Sequence, residues 1–147
     1  MRLKALALAM LLPLAACGKQ VSAPPTTGVT DELIAKGPGA EWLTYGGDRA
    51  EQRFSPLDQI NDKNVGQLGM AWFADLDTAR GQEATPLMHD GILYITTAWS
   101  MVKAYDIKTG AQLWAYDPGI NREKGNDACC DVVNRGVAAW NGKIYLG

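Results

Sequence analysis

The chain has 147 residues, with 14 Lys and Arg against 16 Asp and Glu for a net charge of −2, and His89 as its one histidine. That balance excludes the basic excess on which nucleic-acid binding depends, and one histidine leaves no histidine-rich metal cluster. His89 itself falls in a His-Asp-Gly turn and reads as a solvated turn residue.

The first residues read as a targeting segment, residues 1–16. Arg2 and Lys4 are basic, and Ala5 to Ala16 is an apolar run too short to cross a bilayer. Leu14-Ala15-Ala16-Cys17, followed by Gly18, resembles the bacterial lipobox, in which Cys17 is lipidated and becomes the mature N-terminus. Simple secretion with cleavage after Ala16 is the alternative. The expected location is the periplasm, membrane-anchored in the first case and soluble in the second. Residues 17–40 then form a lipidated N-terminus, a tether rich in Ala-Pro-Pro-Thr-Thr, and a short helix. Thr30 or Asp31 caps that helix, which runs to Lys36 and stops at Gly37-Pro38-Gly39.

From residue 41 the pattern becomes β, with short aromatic and β-branched runs between turn signals. Strands are predicted near Gly69–Ala74, Pro86–Met88, Ile92–Thr97, Val102–Asp106, Gln112–Tyr116, Val137–Trp140 and Lys143–Leu146. Asp90-Gly91-Ile92-Leu93-Tyr94-Ile95 returns 51 residues later as Asn141-Gly142-Lys143-Ile144-Tyr145-Leu146. Ala71-Trp72-Phe73-Ala74-Asp75 returns more loosely 42 residues later as Leu113-Trp114-Ala115-Tyr116-Asp117. Repeats of roughly 40–50 residues, each with about four short strands, mark the blades of a β-propeller. Each blade buries its faces only against its neighbours. Residues 41–147 hold barely two blades and stop inside a strand, so the expectation is the front of a longer all-β polypeptide.

Cys129 and Cys130 are the cysteines left once Cys17 is set aside for processing. Adjacent Cα atoms lie about 3.8 Å apart, whereas ordinary disulfides span about 4.4–6.8 Å, so a bridge here closes a tight ring. It also closes almost no loop, and so gains little chain entropy. Outside the cytoplasm the two thiols are each other's natural partners; two reduced thiols are the other reading. If bridged, the pair makes a rigid, polarisable surface for a ligand more readily than a staple for the fold.

Ala104-Tyr105-Asp106-Ile107-Lys108-Thr109-Gly110-Ala111-Gln112-Leu113-Trp114 resembles the tryptophan-docking motif of quinoprotein alcohol dehydrogenases. In that motif Asp106 and Thr109-Gly110 build a turn and Trp114 packs between blades, a structural role. Gln52-Arg53-Phe54-Ser55-Pro56-Leu57 resembles the family's blade-closing region. Arg80-Gly81-Gln82-Glu83-Ala84-Thr85-Pro86-Leu87 and Cys129-Cys130-Asp131-Val132-Val133-Asn134-Arg135-Gly136 resemble its two cofactor loops. Asp75-Leu76-Asp77-Thr78 and Thr96-Thr97-Ala98-Trp99-Ser100 look like the quinohaemoprotein branch.

The resemblance implies an eight-bladed propeller and oxidation of primary alcohols by hydride transfer to pyrroloquinoline quinone (PQQ). It implies Glu83, Cys129, Cys130 and Arg135 as cofactor-binding residues, with Cys129 and Cys130 disulfide-linked. It further implies Ca²⁺, a periplasmic cytochrome or quinone acceptor, and in one branch haem c. No catalytic residue or metal ligand of the family matches a position here, and those positions are expected beyond Gly147. The rival reading is a non-enzymatic propeller lipoprotein that scaffolds outer-membrane protein assembly. It shares the lipobox, the blades and the docking motif, but has no need of the cysteine pair, Glu83 or Arg135.

Overall fold

The computed structural model describes residues 28–127 and 129–147. The leader over residues 1–16, Cys17 and most of the tether lie outside the described residues, as does Ala128. The first element is helix α1, Asp31–Lys36. The Thr30 hydroxyl accepts from the Leu33 N–H at 3.3 Å, Asp31 and Glu32 sit in the first turn, and Lys36 sits in the last. Those charges match the helix dipole. Gly37, at φ 77°, closes the helix with its N–H on the Ile34 carbonyl.

Strands β1 (Leu87–His89), β2 (Ile92–Thr96), β3 (Val102–Asp106) and β4 (Gln112–Tyr116) form one antiparallel meander in chain order. A second antiparallel pair follows, β5 (Ala138–Trp140) and β6 (Lys143–Tyr145). These bounds match the sequence reading to within a residue at each end. The 51-residue echo is a structural repeat. Asp90-Gly91 and Asn141-Gly142 each close a two-residue hairpin with both residues at positive φ, near 50° and then 72–73°. Such turns match the right-handed twist of the strands they join.

The turn from β3 to β4 works differently. The Asp106 carboxylate accepts from the Lys108 and Thr109 N–H groups and from the Thr109 hydroxyl, at 2.8–3.0 Å.

The core is formed by Leu87, Ile92, Tyr94 and Ala104, against which Leu113, Trp114, Val137, Ala139 and Ile144 pack. Each large apolar side chain so buried contributes about 1.5–3 kcal/mol. The second hairpin therefore lies on the first sheet, with Trp114 part of the packing between them. The Trp114 ring also tilts against Tyr94, centroids 6.0 Å apart. β3 is buried along nearly its whole length. Its Lys103 meets that burial by pairing with the half-exposed Asp77 at 3.1 Å. That contact, chiefly the hydrogen bond from Lys103, holds the Asp77 carboxyl below the usual carboxylate range.

Two expectations are corrected. Residues 69–74 form no strand: Met70 and Phe73 are largely exposed, and among the described residues no neighbouring strand offers them a ladder. Aromatic content alone cannot make a strand without a partner's backbone. The segment is held instead by Trp72, whose indole N–H donates to the Ile107 carbonyl at 2.8 Å and whose ring stacks on Tyr105. The indole passes so close to Gly110 that a Cβ there would come within 2.6 Å of it. His89, expected in solvent, is 6% exposed, and its Nδ1 lies 2.8 Å from Glu41 Oε2. The same carboxylate accepts from the Asp90 N–H, so Glu41 pins the β1–β2 turn from outside it.

Candidate functional site

The two segments flagged as cofactor loops meet. The Thr85 N–H donates to the Arg135 carbonyl at 3.2 Å. Gly136, at φ 128°, lets the backbones close up, since a Cβ there would lie 3.0 Å from the Thr85 carbonyl oxygen. Glu83 and Arg135, 52 residues apart, are thereby joined: Arg135 Nε donates to Glu83 Oε2 at 3.2 Å. Both side chains are largely exposed, and an exposed pair of this kind adds little to stability. The pairing uses only Nε of the guanidinium. The remaining fork of donors keeps its capacity for a carboxylate ligand.

Cys129, Cys130, Asp131, Val133 and Arg135 line one cavity of about 240 Å³. Both cysteines are exposed, with their sulfurs 2.6 Å apart. The Cys129 sulfur, then burial and the Glu83 charge, push the Cys130 thiol up, with Arg135 opposing.

All four sequence-predicted site residues, Glu83, Cys129, Cys130 and Arg135, therefore fall in one place. A larger concavity of about 650 Å³ lies between Trp114 and Ile144. It is mostly apolar and lacks the site's charged groups, so it suits packing rather than chemistry.

Several neighbours escaped the sequence reading. Arg80 pairs with Asp131 beside the cysteines. The Trp99 backbone N–H donates to the Val132 carbonyl at 2.8 Å. Tyr45 lies within reach of Thr85 and of the Arg135 charge, with the Arg53 guanidinium 4.2 Å from its ring centroid. The Arg53 hydrogen bond and charge hold its phenol below the ordinary value. Arg80, Thr85 and Asp131 stand in the segments that resemble the cofactor loops, Arg53 in the one that resembles the blade-closing region, and Trp99 in residues 96–100; Tyr45 left no signal. The Trp99 backbone, at φ 67°, could not be read from residue type.

Antiparallel β units that pack face to face through a docked indole are the units of a β-propeller. Residues 42–145 match the family model for the PQQ glucose/ethanol/alcohol dehydrogenase β-propeller domain, and the chain belongs to that family. It is 55% identical over 129 residues to the dehydrogenase subunit of a quinone alcohol dehydrogenase of Komagataeibacter europaeus. That match covers 86% of this chain and 17% of the relative. The quinohemoprotein alcohol dehydrogenase structure of Comamonas testosteroni superposes with a TM-score of 0.72 at 55% identity, covering 74% of this chain and 16% of that one. A europium-containing methanol dehydrogenase superposes at 0.71 with 40% identity, covering 80% and 21% respectively. The chain thus spans about a sixth to a fifth of the length of these proteins. None of these relatives supports the assembly-scaffold reading.

Proposed function

We propose that this chain supplies one face of the cofactor site of an enzyme that oxidises primary alcohols, transferring hydride to PQQ and passing electrons on to a cytochrome or quinone. The observation that carries this reading is the meeting of Glu83 and Arg135 beside an exposed sulfur pair, where two distant loops are hydrogen-bonded together. The donor set fits the group: a guanidinium for a carboxylate, and a small polarisable surface for a flat ring. When bound, PQQ supplies a two-electron quinone acceptor for the alcohol's hydride.

The chain's own residues do the holding. Arg135 orients a ring carboxylate, Glu83 fixes the guanidinium and shares the polar edge, and Cys129 with Cys130, disulfide-linked in an oxidising compartment, supports one face. Among the described residues no group of three or more His, Cys, Asp or Glu could hold a metal ion. The Ca²⁺ and any haem c that the family implies would be held by other residues of the full-length protein. Cys17 is proposed as a lipidated anchor facing the periplasm; Cys17→Ser should move the protein to the soluble fraction, and unchanged fractionation would remove the anchor.

The decisive test uses the full-length protein, titrated with PQQ and assayed with a dye acceptor and a primary alcohol. Arg135→Ala should weaken PQQ binding by about 10- to 100-fold, or about 1.4–2.7 kcal/mol. Alcohol oxidation that needs no added PQQ in apo protein would overturn the reading.

A further inference from the structure

The cysteine turn is held from one side by a corner of the first sheet. Asp131 sits at φ 66°, and on the opposing corner Trp99 and Ser100 sit at φ 67° and 53°, conformations that residues with a side chain avoid unless surroundings impose them. The surroundings here are specific. The Trp99 N–H donates to the Val132 carbonyl at 2.8 Å. Asn134 donates to the Ser100 hydroxyl at 3.0 Å. Arg80 pairs with Asp131 while its guanidinium carbon lies 5.2 Å from the centroid of the Trp99 ring. Arg122 lies over the same ring at 4.7 Å and is itself held by Asp117 at 3.1 Å. The turn over Arg122–Asp127 packs against the indole so closely that a Cβ at Gly125 would come within 2.8 Å of it.

The backbone just after the exposed Cys129 and Cys130 is thus held by the Trp99 backbone N–H on Val132, while the half-buried Trp99 ring meets Arg80, the partner of Asp131. A flat ligand gains from a surface already in its bound shape, because ordering that surface on binding costs affinity.

We propose that Trp99 is a positioning residue for the Cys129–Cys130 pair: its backbone and its ring, tied through Arg80 to Asp131, keep the two sulfurs side by side. This inference rests on the cofactor reading above only for what the pair then contacts. The adjacency of the sulfurs can be read without any cofactor.

The test uses full-length apo protein. Closure of the pair by glutathione disulfide consumes one molecule of it, forms one Cys129–Cys130 bond, and releases two molecules of glutathione. Its equilibrium constant therefore reports how well the chain holds the sulfurs together. Trp99→Ala should lower that constant at least tenfold and weaken PQQ binding at least tenfold. Trp99→Phe, which keeps a ring under the two arginines, should restore both to within about threefold of the wild type. A general structural role would instead lower the apo melting temperature in both variants and leave the closure constant of the folded fraction unchanged.

An unchanged closure constant in Trp99→Ala overturns the proposal. Should Trp99→Ala fail to fold, Arg80→Gln serves: it removes the tie to Asp131, and closure must fall at least threefold or the proposal is wrong. If the wild type fails to bind PQQ, the cofactor reading falls and the closure series still decides the positioning role.

Discussion

The hairpins β1–β2 and β5–β6 share a turn but not an environment. Both close on an Asp-Gly or Asn-Gly pair at positive φ, and in both a tyrosine stands opposite the first residue of the preceding strand. In the first hairpin that pair is Leu87 with Tyr94, 3% and 4% exposed; in the second it is Ala138 with Tyr145, and Tyr145 is 48% exposed. The first has β3 on one side and, on the other, a bridge from Trp42 to Met88 with hydrogen bonds of 2.9 and 3.0 Å. Among the described residues the second finds no strand partner but itself; it rests one face on the first sheet, and its Asn141 N–H donates to the Val29 carbonyl at 2.9 Å. Turn geometry is a local property of two residues. Burial is conferred by neighbours, and in a propeller those neighbours are other blades.

The largest expected effect sharpens this contrast. Tyr94→Ala in the full-length protein should cost about 3–5 kcal/mol in urea unfolding, since it empties a packed site beside Trp114. Tyr145→Ala should cost less, since Tyr145 is 48% exposed among the described residues. Equal losses would break the contrast.

A smaller effect should be shared by both hairpins. Gly91→Ala and Gly142→Ala each force an alanine to φ near 72–73°. Each should cost about 1–2 kcal/mol, equally within about 0.5 kcal/mol, because the strain belongs to the turn and not to its surroundings. Unequal losses in paired unfolding curves would show that the environment reaches into the turn.

Legibility in the sequence follows the same division. The helix cap at Thr30, the four strands of the first sheet and both hairpins depend on contacts between residues close in the chain, and all were readable. Glu83, Arg135 and the cysteines were readable as a set only because each sits in a motif; the 3.2 Å contact that joins Glu83 to Arg135 is visible in no single stretch. What stayed hidden is long-range. His89 looked like solvent because its partner Glu41 lies 48 residues away. Residues 69–74 looked like a strand because aromatic content does not reveal whether a neighbour exists. Trp99 gave no sign of its role because φ 67° at a tryptophan is imposed by what surrounds it.

The smallest effect concerns the third turn, between β3 and β4, which is built on a carboxylate rather than on positive-φ pairs. Asp106 accepts three hydrogen bonds, and its carboxyl lies below the ordinary 3.8, chiefly through the Thr109 hydroxyl and N–H. The sign follows from linkage: the folded state binds this proton more weakly than the unfolded state does. The contribution is therefore complete above about pH 3.8 and is lost as pH falls through the lower folded value. Asp106→Asn keeps an oxygen acceptor but has no carboxyl to titrate. The urea midpoint of the wild type should exceed that of the Asp106→Asn variant at pH 7, and the gap should narrow between pH 4 and pH 3. The Gly91→Ala and Gly142→Ala penalties, being steric, should keep their size over the same range. A gap that stays constant to pH 3 would mean that the β3–β4 turn, like the two hairpins, is held by backbone geometry rather than by the charge on Asp106.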